Sequence, residues 1–152
     1  MFQRIQTIYL SISLIVIAIL FFIPVIAFSD DAGGVWGLFA CGIKESGSGK
    51  VVLGTIPLMG YLALIEALTL VSMFSFRKLD NQRRITFLVI LLQVLAYGII
   101  AVYTIKGKSI LAAHPVFVIA TIIPLVSALF GWLAYRGIKK DIDLLKSLDR
   151  LR

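Results

Sequence analysis

Residues 60–72, GYLALIEALTLVS, set one carboxylate, Glu66, in the middle of an apolar run. Extended in both directions, the run covers about residues 52–76 and has no other charged group before Arg77. At ~1.5 Å per residue such a segment crosses the ~30 Å hydrocarbon layer of a bilayer as a helix. Three more stretches read the same way, at about 5–28, 85–105 and 110–135. All four are continuously apolar, which argues against the alternating strands of a membrane barrel. The expected fold is therefore all-α: a four-transmembrane-helix bundle over residues 1–135, followed by a cytoplasmic amphipathic basic tail over 136–152.

Composition supports this class. The chain is 60% hydrophobic and 15% charged, with a mean hydropathy of +1.01. Soluble domains carry about 25% charged residues. A cleaved signal peptide is the weaker reading of the first segment, because its apolar core exceeds the usual ~7–15 residues. The net charge of +7 does not point to nucleic acid, since no basic surface is large enough to track a phosphate backbone. It reflects the Lys and Arg that collect in cytoplasmic loops. Eleven of the 15 Lys and Arg lie on one side of the four segments and four on the other, so both termini are expected in the cytoplasm. Trp132 and Tyr135 sit at the inner end of the fourth segment, where an aromatic belt belongs.

One cysteine, Cys41, and one histidine, His114, exclude an internal disulfide and any Cys- or His-cluster metal site. No cofactor is expected. The outer loop between the first two segments carries turn residues at 45–49, which predict a short hairpin of 35–43 with 50–53.

Counting depth from the basic end places Glu66 about 16 Å into the layer and Gln93 about 13 Å. Ser13 and Ser127 fall near the same ~13 Å level. An intramembrane polar layer of Glu66, Gln93, Ser13 and Ser127 is expected, with one group from each helix. Gly60, Ala63 and Ala67 share a side of the second helix with Glu66, which predicts that this side turns into the bundle. A charged acid at the bilayer centre costs ~2.5–3.5 kcal/mol. The neutral acid, donating a hydrogen bond to Gln93, is the expected form. It serves either as glue between helices or as a proton- or cation-handling site.

The inner loop contributes Arg77, Lys78, Arg83 and Arg84. The tail, RGIKKDIDLLKSLDRLR, contributes Arg136, Lys139, Lys140, Lys146, Arg150 and Arg152. In the tail Arg136, Lys139, Lys140, Lys146 and Arg150 oppose Ile138, Ile142, Leu144, Leu145, Leu148 and Leu151 on a helical wheel, with Asp141, Asp149 and Arg152 intruding on the apolar side. Such a helix docks on anionic membrane lipid, on a cytoplasmic protein partner, or on the chain's own inner loop, RKLDNQRR.

The opening MFQRIQTIYL, most distinctively Gln3-Arg4-Ile5-Gln6-Thr7, and the closing SLDRLR of residues 147–152 resemble a four-span inner-membrane family of Bacteroidota, domain of unknown function 4293. The resemblance covers the whole chain. It implies an integral protein of the bacterial inner membrane and assigns no catalytic residues. The residues themselves offer no nucleophile–base pair, so an enzyme is not expected. Two functions remain. One is a structural or accessory protein that docks to a larger membrane complex through the basic inner loop and tail. The other is a small homo-oligomeric, proton-coupled transporter built around Glu66.

Overall fold

The computed structural model describes residues 3–30, 33–76 and 78–150. Four helices form the bundle: α1 (Gln3–Ala18), α2 (Ile56–Phe74), α3 (Leu79–Leu111) and α4 (Ile123–Arg150). The fold is not all-α. Five short strands, β1 (Ile26–Ser29), β2 (Val35–Leu38), β3 (Gly42–Glu45), β4 (Val51–Gly54) and β5 (His114–Phe117), build one antiparallel sheet in the order β4-β3-β2-β1-β5. The sheet covers the end of the bundle opposite the termini. The termini end carries most of the basic residues and is called the basic end below.

β5 and most of β1 and β4 occupy apolar sequence that was expected to be helix. A short apolar run does not distinguish a buried strand from a helical segment. What decides here is local chemistry. After α1 the chain makes a single 3-10 turn, Ile19–Phe21. Pro24 then withholds a backbone donor, disfavours helix at the preceding residue, and turns Ile26–Ser29 into β1. Between α3 and α4, Ala112 adopts a left-handed φ of 51° that stops α3. Val116 then pairs with Ala27 and Phe117 with Ile26. The expected hairpin exists only in part: its second arm is β4, but its first arm divides into β2 and β3. At helix starts, proline is tolerated because the first amides lack intrahelical partners. Pro57 and Pro124 each stand second in their helices.

Three helical segments are long and apolar enough to cross a membrane, Ile56–Phe74, Leu79–Leu111 and Ile119–Ser147. The first apolar helix, Ile5–Phe21, is shorter. The distribution of residues is inverted relative to a soluble bundle. Leu64, Leu70, Val71, Phe87, Leu91, Leu95, Val102 and Leu129 are exposed, while Thr69, Ser72, Gln82, Thr86, Gln93 and Ser127 are buried. Uncharged polar groups inside, several of them bonded between helices as Ser72–Thr86 and Gln93–Ser127 are, with apolar groups outside, are what a lipid environment favours.

The apolar core lies between the sheet and the adjoining ends of the helices. Phe28, Leu38, Ile43, Leu20, Leu58 and Ile65 are at its centre. Gly107 lets α3 approach the sheet: a Cβ there would lie 2.6 Å from Phe28 Cζ. At the basic end α4 continues without a break past residue 135, so the tail is an extension of the fourth helix and not a separate one. Its first turns are packed, with Ile138 and Ile142 buried. Gln6 Nε2 donates to Asp141 Oδ2 at 2.6 Å. Asp141, an intrusion on the apolar face of the tail by pattern, thus fastens α4 to α1.

Candidate functional site

The bundle interior holds one polar cluster at the level of residue 93. Ser127 Oγ donates to the Ser13 carbonyl at 2.8 Å, and Ser13 Oγ donates to the Ser127 carbonyl at 3.1 Å. The two hydroxyl oxygens are 2.8 Å apart. Gln93 Nε2 reaches both of them, at 2.8 Å to Ser127 and 3.3 Å to Ser13. The proton count closes. Each serine gives its one hydrogen to the other's backbone, and each accepts one of the two hydrogens of the Gln93 amide. That count also fixes the amide orientation, since an inward oxygen would meet no donor. All three residues are fully buried. Gly131 and Ala128 of α4 and Ala96 of α3 are buried beside them, which lets these helices come close.

Glu66 stands outside this cluster. The expected hydrogen bond to Gln93 does not form: Glu66 Oε1 and Gln93 Oε1 are both buried without a partner. The reason is the rotation of α2. Its buried face is Leu58, Leu62, Ile65, Thr69 and Ser72, and this face carries the contacts to α3. There Ser72 and Thr86 hydroxyls lie 2.7 Å apart, and Tyr61 donates to the Leu92 carbonyl at 2.8 Å. Gly60, Ala63 and Ala67, expected to face inward, are exposed. Glu66 is half-buried on the flank of that face. It shares this flank with Met73, two turns away, which receives Ser11 Oγ of α1 at 3.7 Å.

Of the expected docking cations, Lys78, Arg84, Arg136, Lys139, Lys140 and Lys146 are exposed at the basic end, and Arg83 is half-buried. Arg83 pairs with Asp80 at 3.7 Å. Arg77 and Arg152 lie outside the described residues, as does the side chain of Arg150. Between the start of α3 and the tail is a cleft of about 470 Å³, lined by Lys78, Leu79, Asp80, Asn81, Ile142, Leu145 and Lys146. No group of three or more metal-ligating side chains occurs among the described residues.

Three fastenings were not visible as sites in the sequence: Gln6–Asp141, Ser72–Thr86, and Thr121 Oγ1, which donates to the Val25 carbonyl at 2.6 Å.

A family model described as Domain of unknown function (DUF4293) matches residues 2–151. The chain belongs to this family. No curated protein matches the chain. The family match spans both the Gln6 and the Asp141 sides of the α1–α4 fastening and all members of the serine–glutamine cluster.

Proposed function

We propose that the chain is a four-span integral protein of a bacterial inner membrane, with both termini in the cytoplasm. In this reading it is an accessory subunit that docks to a larger membrane complex through its basic inner loop and tail. The observation that carries the reading is the cleft between the start of α3 and the tail. It combines two cations, Lys78 and Lys146, with apolar Ile142 and Leu145 at the expected cytoplasmic edge. An acidic, partly apolar peptide segment of a partner fits that chemistry. The bundle interior supports a structural role too. Its central cluster is uncharged, and a proton path would need further ionisable groups. Neither catalysis nor a cofactor is assigned.

Affinity purification from membranes at native expression, with identification of co-purifying subunits, tests this. A reproducible heteromeric partner, lost from the variant Leu145→Glu/Lys146→Glu, whose two side chains are exposed in the cleft, is expected. If no specific subunit co-purifies with the intact chain, docking is refuted.

The unpartnered Glu66 Oε1 favours a second reading, a homo-oligomeric transporter in which this carboxyl handles a proton or cation. Substrate flux in proteoliposomes that depends on Glu66 and is lost in Glu66→Gln, with stability unchanged, would select it.

A further inference from the structure

At the end of the fourth helix one stripe of α4 presents aromatic, cationic and acidic groups in sequence. Trp132 and Tyr135 stack with centroids 5.7 Å apart. Tyr135 also meets Phe87 of α3 at 6.0 Å, which holds the pair in place. Beyond them come Arg136 and Lys139, then Asp143, all exposed. These residues, with Lys140, Leu144 and Ser147, border a shallow concavity of about 560 Å³. From Ile119 to Tyr135 the chain rises about 27 Å at ~2.0 Å per 3-10 residue and ~1.5 Å per α residue, close to the hydrocarbon thickness. The aromatic pair therefore lies at the interface, with the charges beyond it at headgroup depth.

The charges are arranged in an unusual way. Lys139 and Asp143 are four residues apart on one face, a spacing that permits an ion pair. Yet among the described residues neither they nor Arg136 has an ion-pair partner. Moving outward, the stripe presents stacked rings, then cations, then a carboxylate. An aminophospholipid presents the complementary order: glycerol esters, then phosphate, then a primary ammonium. Its two-carbon bridge separates phosphate from ammonium by a length of the same order as the ~6 Å rise from Lys139 to Asp143 at ~1.5 Å per residue.

We infer that this stripe binds the headgroup of an aminophospholipid of the phosphatidylethanolamine type. Arg136 and Lys139 hold its phosphate and Asp143 accepts from its ammonium. A choline headgroup has no N–H to donate, and a glycerol headgroup carries no cation. The stripe therefore distinguishes three phospholipids that share a phosphate. A uniformly basic surface would instead favour the anionic lipid.

The inference rests on α4 meeting a bilayer, as the proposed function has it. The test is native mass spectrometry of the full chain, released from mild detergent after incubation with equimolar phosphatidylethanolamine, phosphatidylcholine and phosphatidylglycerol. The expected result is retention of phosphatidylethanolamine over phosphatidylcholine by about tenfold, the equivalent of one charge-assisted hydrogen bond. Asp143→Asn should abolish that preference, and Arg136→Gln/Lys139→Gln should lower retention of all three lipids. These side chains are exposed, so the variants should keep the wild-type helical content, which circular dichroism checks. Preference for phosphatidylglycerol, equal retention of the three, or an unchanged Asp143→Asn variant would each overturn the inference while leaving the membrane reading intact. Absence of all bound phospholipid would overturn both.

Discussion

Removing the Ser127 hydroxyl tests the serine–glutamine cluster as the structural centre of the bundle. Ser127→Ala deletes the donor to the Ser13 carbonyl at 2.8 Å and the acceptor of the Gln93 amide at 2.8 Å. Interhelical hydrogen bonds in membrane proteins average about 0.6 kcal/mol, so the two together contribute about 1.2. The change also leaves one hydrogen of a fully buried amide without an acceptor, at a cost of about 1 kcal/mol or more. A loss of about 2 kcal/mol is expected. Gln93→Leu introduced into Ser127→Ala removes the stranded amide together with its unpartnered oxygen. The double variant should therefore be less destabilised than the sum of the two single changes, by about 1 kcal/mol. Unfolding by dodecyl sulfate titration in mild detergent, followed by tryptophan fluorescence, measures both quantities. Ser11→Ala is the control, because its contact to Met73 sulfur at 3.7 Å is weak, and a change within about 0.5 kcal/mol is expected. The reasoning fails if Ser127→Ala matches that control, or if the double variant equals the sum.

Four further outcomes are expected. Gly107→Ala brings a methyl group to 2.6 Å from Phe28 Cζ and 3.0 Å from Ile43 Cδ1; both side chains are buried, so a loss of about 1–3 kcal/mol is predicted in the same titration. Asp141→Leu should loosen the basic end by stranding the Gln6 amide, at about 1–3 kcal/mol, whereas Asp141→Asn keeps an acceptor and should cost less; equal losses would refute the pairing. Glu66→Gln should leave stability within about 0.5 kcal/mol of wild type, because Glu66 Oε1 makes no hydrogen bond to lose. Cys41 is exposed at the sheet end. A membrane-impermeant maleimide should label it in intact spheroplasts; labelling only after lysis would reverse the proposed orientation.

The helices and the sheet were not equally legible in the sequence. Long apolar runs and the asymmetry of Lys and Arg carry a strong signal for helices, because both reflect bulk solvation of whole segments. The strands carry almost none. Ile26–Ser29 and His114–Phe117 are four residues each, and their partners are far away in sequence. Only Pro24 and Pro115 marked these regions as unsuited to helix interiors. Depth was readable from rise per residue, which placed Ser13, Gln93 and Ser127 at one level. Rotation about a helix axis was not. Small residues pack between helices, but they are also tolerated on an outer face, and the choice for α2 turned on Leu62, Ile65, Thr69 and Ser72. The Ser72 hydroxyl, which meets Thr86 of α3, was the better guide, since polar groups in lipid seek a partner helix. Asp141 was legible as an anomaly and illegible as a contact, because nothing local named Gln6 as the donor to its carboxylate.

The position of β1 has a consequence for biogenesis. It pairs with β2 on one side and with β5 on the other, so the first strand synthesised is also the last to be completed. While α3 is still emerging, one edge of β1 offers unpaired backbone groups, which is the geometry that recruits foreign strands. In the proposed four-span topology the edge is satisfied only after α1, α2 and α3 are in place and residues 114–117 have reached the sheet. On the proposed topology, closing β1 with β5 would therefore mark completion of the third helix, and a chain stalled before that point would leave a β1 edge unpaired.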